Sequence, residues 1–236
     1  MKKCLISFSL LTYLLTQAAT AGALRLSPVN LAIDDEQTAT TLTVFNQGAD
    51  AENIQIRAFS WTQNTQGKDQ LSLTNDIVVS PSVITVAPNG SFNVRIVRQT
   101  TGKVSHEQAY RIVVDELPKP NDSRVNNGNI NMLVRTILPL FIGNDNLLQT
   151  QDLKVVDNTG ICQLQVKNTG QRHILLSQVS ITDSSTQRQY PMAINPTNGY
   201  LLPTITKNYP IIGLSRCGTN NQLHINSTIN GKKITI

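Results

Sequence analysis

This chain has few residues suited to chemistry. Its 236 residues include one Trp, three Cys, three His and only 15% charged residues. His106, His173 and His224 lie far apart in sequence, and each is expected on a strand or loop surface. There is no G-x-S-x-G elbow, no H-E-x-x-H and no phosphate-cradling glycine loop. No nucleophile–base pair can be assembled from what remains, so the sequence predicts no enzyme and no cofactor. Asp34, Asp35 and Glu36 form an acidic run. It lacks the spacing of a calcium loop and reads as a solvated turn, so no metal site is predicted.

Strong charge and long apolar runs are scarce as well. The net charge is +5, without a dense basic run, which gives no case for nucleic acid. The apolar run at residues 5–15 follows Lys2 and Lys3 and precedes Ala19-Thr20-Ala21. It is too short to span a bilayer and reads as a secretory signal over residues 1–21. Cys4 would leave with that signal. The remaining pair, Cys162 and Cys217, is most simply a disulfide in an oxidising compartment. Such a bridge is worth about 2–4 kcal/mol. Two cysteines without a nearby His are too few for structural zinc.

What the chain does have is alternation. Apolar and polar residues trade places through residues 24–33, 41–46, 51–62, 91–97 and 108–117. Turn signals separate them, with Pro88-Asn89-Gly90 the strongest. Short apolar pieces at 77–80 and 83–86 add to the set, and no helix is indicated. The pattern fits an immunoglobulin-like β-sandwich, with Trp61 expected to anchor its core. The half closes on residues 129–142, NINMLVRTILPLFI, read as one long strand with Pro139 pushing its far end to an edge or a bend. A long apolar strand left uncovered is an aggregation hazard unless pairing with another chain is its job. After a break at 143–146, a further six or seven strand-like pieces suggest a second sandwich. The expected fold is all-β, with a first domain over 22–142 and a second over 143–236.

Several residues in order carry a family resemblance. They are Trp61 and Gln63, Pro81, Pro88-Asn89-Gly90, Val94-Arg95-Ile96, Tyr110-Arg111-Ile112, Glu116-Leu117-Pro118 and Leu140-Phe141. The series resembles the periplasmic chaperones of chaperone–usher pili, PapD-like proteins with two immunoglobulin-like domains. The forms around Trp61 and Tyr110 look most like the archaic branch. The resemblance implies a periplasmic protein that binds pilus subunits and passes them to an outer-membrane usher. It implies that residues 129–142 donate a strand to an incomplete subunit, a form of β-augmentation. Ile130, Met132 and Val134, spaced by two, would fill the subunit groove. Self-association of the free chaperone, as one way to mask that strand, is left open by the residues.

One departure from the family follows from the same comparison. The better-studied branch anchors the subunit's terminal carboxylate with an Arg on its first strand and a Lys on its long strand. The matching positions here are Asn30 and Pro139, which carry no charge. Arg111 is the first substitute candidate, followed by Arg95, Arg98 and Arg135, with a plain solvated strand position as the alternative for Arg111. Two other classes remain open on the residues: an exported adhesin or pilus component built from two sandwiches, and a secreted enzyme. The adhesin reading predicts a self-complete fold without an open donor strand.

Overall fold

The structure, a computed structural model, describes residues 24–118, 133–192, 194–195, 197–214, 217 and 223–236. The signal segment and the positions of Ile130 and Met132 lie outside the described residues. Among the described residues the chain is all strand and loop.

The first sandwich takes ten strands. They are β1 (Leu24–Ser27), β2 (Leu31–Asp34), β3 (Ala39–Asn46), β4 (Glu52–Gln63) and β5 (Asp69–Leu73). Then come β6 (Ile77–Ser80), β7 (Val83–Val86), β8 (Ser91–Arg98), β9 (Gln108–Glu116) and β10 (Arg135–Gly143). One sheet has the order β1-β3-β8-β6. The other has the order β2-β10-β9-β4-β5, with β7 also paired to β4. Alternation decides which side chains meet between the sheets. Leu42, Val44, Val94 and Ile96 from one sheet pack on Leu31, Ile33, Ile54, Ile56, Ile112, Leu138, Leu140 and Ile142 from the other. Asn89, at a φ of 53°, takes the left-handed turn that Pro88-Asn89-Gly90 signals.

The second sandwich is built from β11 (Gln151–Asn158), β12 (Ile161–Asn168), β13 (Ile174–Asp183) and β14 (Gln189–Pro191). It continues with β15 (Tyr200–Leu201), β16 (Thr206–Pro210), β17 (Leu223–Ile229) and β18 (Lys232–Thr235). The sheet β11-β12-β16 faces β14-β13-β17-β18, and β15 pairs with β13. Leu164, Val166, Leu176, Ile181 and Ile225 form its core. Cys162 and Cys217 are bonded, with Cα atoms 5.2 Å apart, and the bridge packs against this core.

Some strands escaped the sequence pattern. β5 reads DQLSL and is exposed at every position, so alternation gives no burial signal there. β14 and β15 have only three and two residues. The acidic turn is not fully solvated either. Asp35 is buried, and its carboxylate accepts hydrogen bonds from Val104 N and Asn144 Nδ2.

Candidate functional site

β10 lies next to last in its sheet, and its outer edge is only half covered. β2 runs parallel to it and pairs from Leu140 to Gly143. From Arg135 to Pro139, β10 has β9 on one side and no strand on the other among the described residues. An uncovered edge is a template for another strand. The apolar side chains beside it are left in solvent: Leu133, Val134 and Ile137 are each about half exposed. Leu138, Leu140 and Ile142 meanwhile point into the sandwich core. The edge is thus rigidly held on its covered side and open on the other.

The root of this edge is tied down by charge. Asp115 on β9 stands opposite Arg135. Its carboxylate accepts from Arg135 Nε at 2.5 Å and from Arg57 Nη2 at 2.6 Å. Hydrogen bonding from Arg135, then from Arg57, holds the Asp115 carboxyl below its ordinary range. Val134 N donates to the Glu116 carboxylate, and Glu116 N donates to Val134 O. Arg57, on β4, was not singled out in the sequence. Its parity could have revealed it, because it is out of phase with Ile54, Ile56 and Ala58 and so faces outward with Arg135.

The four arginines named from sequence fall in four different surroundings. Arg135 sits at the open edge and keeps most of its side chain in solvent. Arg95 is exposed in the other sheet, between Thr41 and Ser80. Arg98 is buried and donates to the carbonyls of Asp35 and Gly102. Arg111 stands directly opposite Pro139, as the strand pairing required. Its guanidinium, however, turns away from β10. It lies 3.5 Å from the Trp61 ring centroid and 5.3 Å from that of Tyr200, with Asp69 at 3.4 Å. Burial pushes its pKa down.

That turn leads to the junction between the sandwiches. Trp61 is buried, but outside the first core. It packs with Phe141, Tyr200 and Leu202 in a cluster drawn from both sandwiches. His173 is not a free surface residue. Its ring stacks on Phe141 at 3.6 Å, and Nδ1 lies 2.5 Å from Glu107 Oε2. Gln63 closes the junction. Its Nε2 donates to Tyr200 O at 2.9 Å, and its Oε1 accepts from Leu202 N at 2.9 Å. Glu107 N also donates to Gln171 O.

Below the junction a cleft of about 620 Å³ opens between the sandwiches, with Asn30, Phe141, Arg172, His173 and Asn230 in its wall. Asn30 therefore faces the cleft without charge. Arg172 brings a cation to that wall. It is met by Glu107 at 3.7 Å and Asp145 at 3.0 Å. No group of three or more potential metal ligands occurs among the described residues. No described helix is long and apolar enough to cross a membrane.

Comparison with known proteins agrees with this geometry. Residues 23–147 match the family described as pili and flagellar-assembly chaperone, PapD N-terminal domain. A similar solved chain occurs in the CsuC–CsuE chaperone–tip adhesion subunit pre-assembly complex from archaic chaperone-usher Csu pili of Acinetobacter baumannii. It is 22% identical with a TM-score of 0.69, covering 91% of this chain and 97% of that one. The Salmonella enterica SafA pilin–SafB chaperone complex contains a chain 15% identical, with a TM-score of 0.63 and coverage of 93% and 98%. The E. coli chaperone DraB is 17% identical, with a TM-score of 0.61 and coverage of 90% and 97%. At these identities the likeness is one of fold. No match was found among curated proteins.

Proposed function

We propose a function from one premise: the chain belongs to the family of pili and flagellar-assembly chaperones with a PapD-type N-terminal domain. It binds pilus subunits by lending them the edge of β10, stabilises them in the periplasm and hands them to an outer-membrane usher. The observation that carries this reading is the uncovered edge from Arg135 to Pro139, with Leu133, Val134 and Ile137 exposed beside it. A self-complete adhesin would cover such an edge. A strand supplied to a sheet edge contributes a ladder of backbone hydrogen bonds, and alternate side chains add specificity.

The groove-filling residues are Ile130, Met132 and Val134, which share one parity. Fully burying three such side chains contributes about 1.5–3 kcal/mol each. For the carboxylate anchor, burial and contacts favour Arg135 over Arg111. Arg135 is accessible at the edge, and with Arg57 it outweighs the single charge of Asp115. Arg111 spends its charge on Trp61, Tyr200 and Asp69.

Co-expression with a pilus subunit tests the reading. A soluble one-to-one complex is expected, and Asp at Ile130, Met132 and Val134 together abolishes it while the melting temperature stays unchanged. A complex that survives the triple substitution overturns the donor-strand assignment.

A further inference from the structure

The hydrogen-bonding parity of β10 follows from one contact. Glu116 N donates to Val134 O at 3.1 Å, and the β9 register then runs unbroken from Arg135 to Ile142. In an antiparallel ladder, bonded pairs alternate with non-bonded ones. Thr136, Leu138 and Leu140 therefore spend their backbone groups on β9. The backbone groups of Arg135, Ile137, Pro139 and Phe141 point the other way. Along the open edge this leaves N–H donors and carbonyl acceptors at Arg135 and Ile137, while the Pro139 carbonyl faces Leu31, whose pairing with Leu140 opens the β2 ladder. Pro139 itself has no N–H to give.

We propose that Pro139 is a register stop for the strand that docks on β10. The inference rests on the reading of this edge as the subunit-binding edge. Whichever way the added strand runs, its carbonyl aimed at residue 139 finds no donor, so its ladder ends opposite Leu138. The chain's own strand already obeys the same limit. β2 pairs with β10 only beyond the proline, beginning with Leu31 opposite Leu140, and Asn30 lies outside the strand. β2 thus takes the proline's carbonyl but finds no N–H there to carry its ladder on toward Asn30. The stop also works without charge, because Arg111, opposite Pro139, directs its guanidinium to Trp61. Pro139 is thus a positioning residue. It fixes which subunit side chains meet the chaperone's exposed apolar side chains, and a slip of two residues would keep the same face but shift every pocket.

Cysteine crosslinking reads the register directly. The probe is a set of ten-residue peptides alternating Val and Thr, amidated at the C-terminus, each with one Cys at a successive position. The reporter is Leu133→Cys in the chaperone. With Pro139 in place, disulfide yield is expected to peak at one peptide position, and the peak does not move with salt. In the Pro139→Ala background the position two residues along gains about fivefold in relative yield, the worth of one backbone hydrogen bond. Ile137→Pro removes the other nearby outward donor without breaking a bond to β9, and moves the peak two residues the opposite way. A single unmoved peak in all three backgrounds overturns the register stop and leaves the docking edge standing. No crosslink in the Pro139 background overturns the docking edge, and the stop with it.

Discussion

The two ends of β10 carry the same kind of side chain and meet opposite fates. Phe141 and Ile137 lie four residues apart on the same outward face. Phe141 is 7% exposed, stacked on His173 and packed against Trp61 and Tyr200. Ile137 is 46% exposed beside an uncovered edge. Nothing in either residue explains the difference. The second sandwich lies over one end and stops short of the other. An apolar outward face is thus divided into a part that holds the protein together and a part left for a partner.

Truncation gives the largest contrast between the two ends. Phe141→Ala should cost about 3–5 kcal/mol in denaturant unfolding, as for other buried Phe positions. Ile137→Ala should stay within about 0.5 kcal/mol, as for ordinary surface positions, yet weaken subunit binding. Equal losses at both sites would erase the distinction. A smaller effect is expected at Gln63. Gln63→Ala strands Tyr200 O and Leu202 N, and should cost about 1–3 kcal/mol. Hydrogen exchange at Leu202 should rise while the amides of β10 keep their protection.

The smallest effect lies at the root of the open edge and depends on pH. Asp115 has a carboxyl pKa lowered in the fold by Arg135 and Arg57. A lowered folded value means that its contribution is present above the unfolded carboxyl value of about 3.9 and is lost as pH falls through the folded one. Exchange at the Thr136 amide, which is bonded to β9 beside Arg135, should therefore quicken below about pH 4, and Asp115→Asn should remove that dependence. Unchanged exchange across this range would show that the edge is held by β9 alone.

Much of the architecture was legible because alternation is a local property. The strands that build the first core, the turn at Pro88-Asn89-Gly90 and the pairing of Cys162 with Cys217 all follow from neighbours in sequence or from simple cysteine counting. β5 was missed for the same reason, since it presents no buried face to alternate with. Trp61 was misplaced by composition. A lone Trp suggests a core, but its odd parity against Ile54, Ile56 and Ala58 already pointed outward, to the junction. His173 had no such clue, because its partners Phe141 and Glu107 come from the other sandwich. Arg111 stands beside Pro139 as strand order suggested, while the direction of its side chain depends on Trp61, Tyr200 and Asp69.

By itself, the sequence determined the fold class, the family and an apolar strand with a proline near its end. The fold class and the strand depend on periodicity and residue types, and the family on a resemblance carried by residues in order, none of which needs knowledge of distant neighbours. Only the tertiary structure decided where that strand is covered. β2 reaches one end, the second sandwich caps the outward face there, and the other end keeps its backbone groups open. Coverage depends on which distant segments arrive, so no local pattern can encode it.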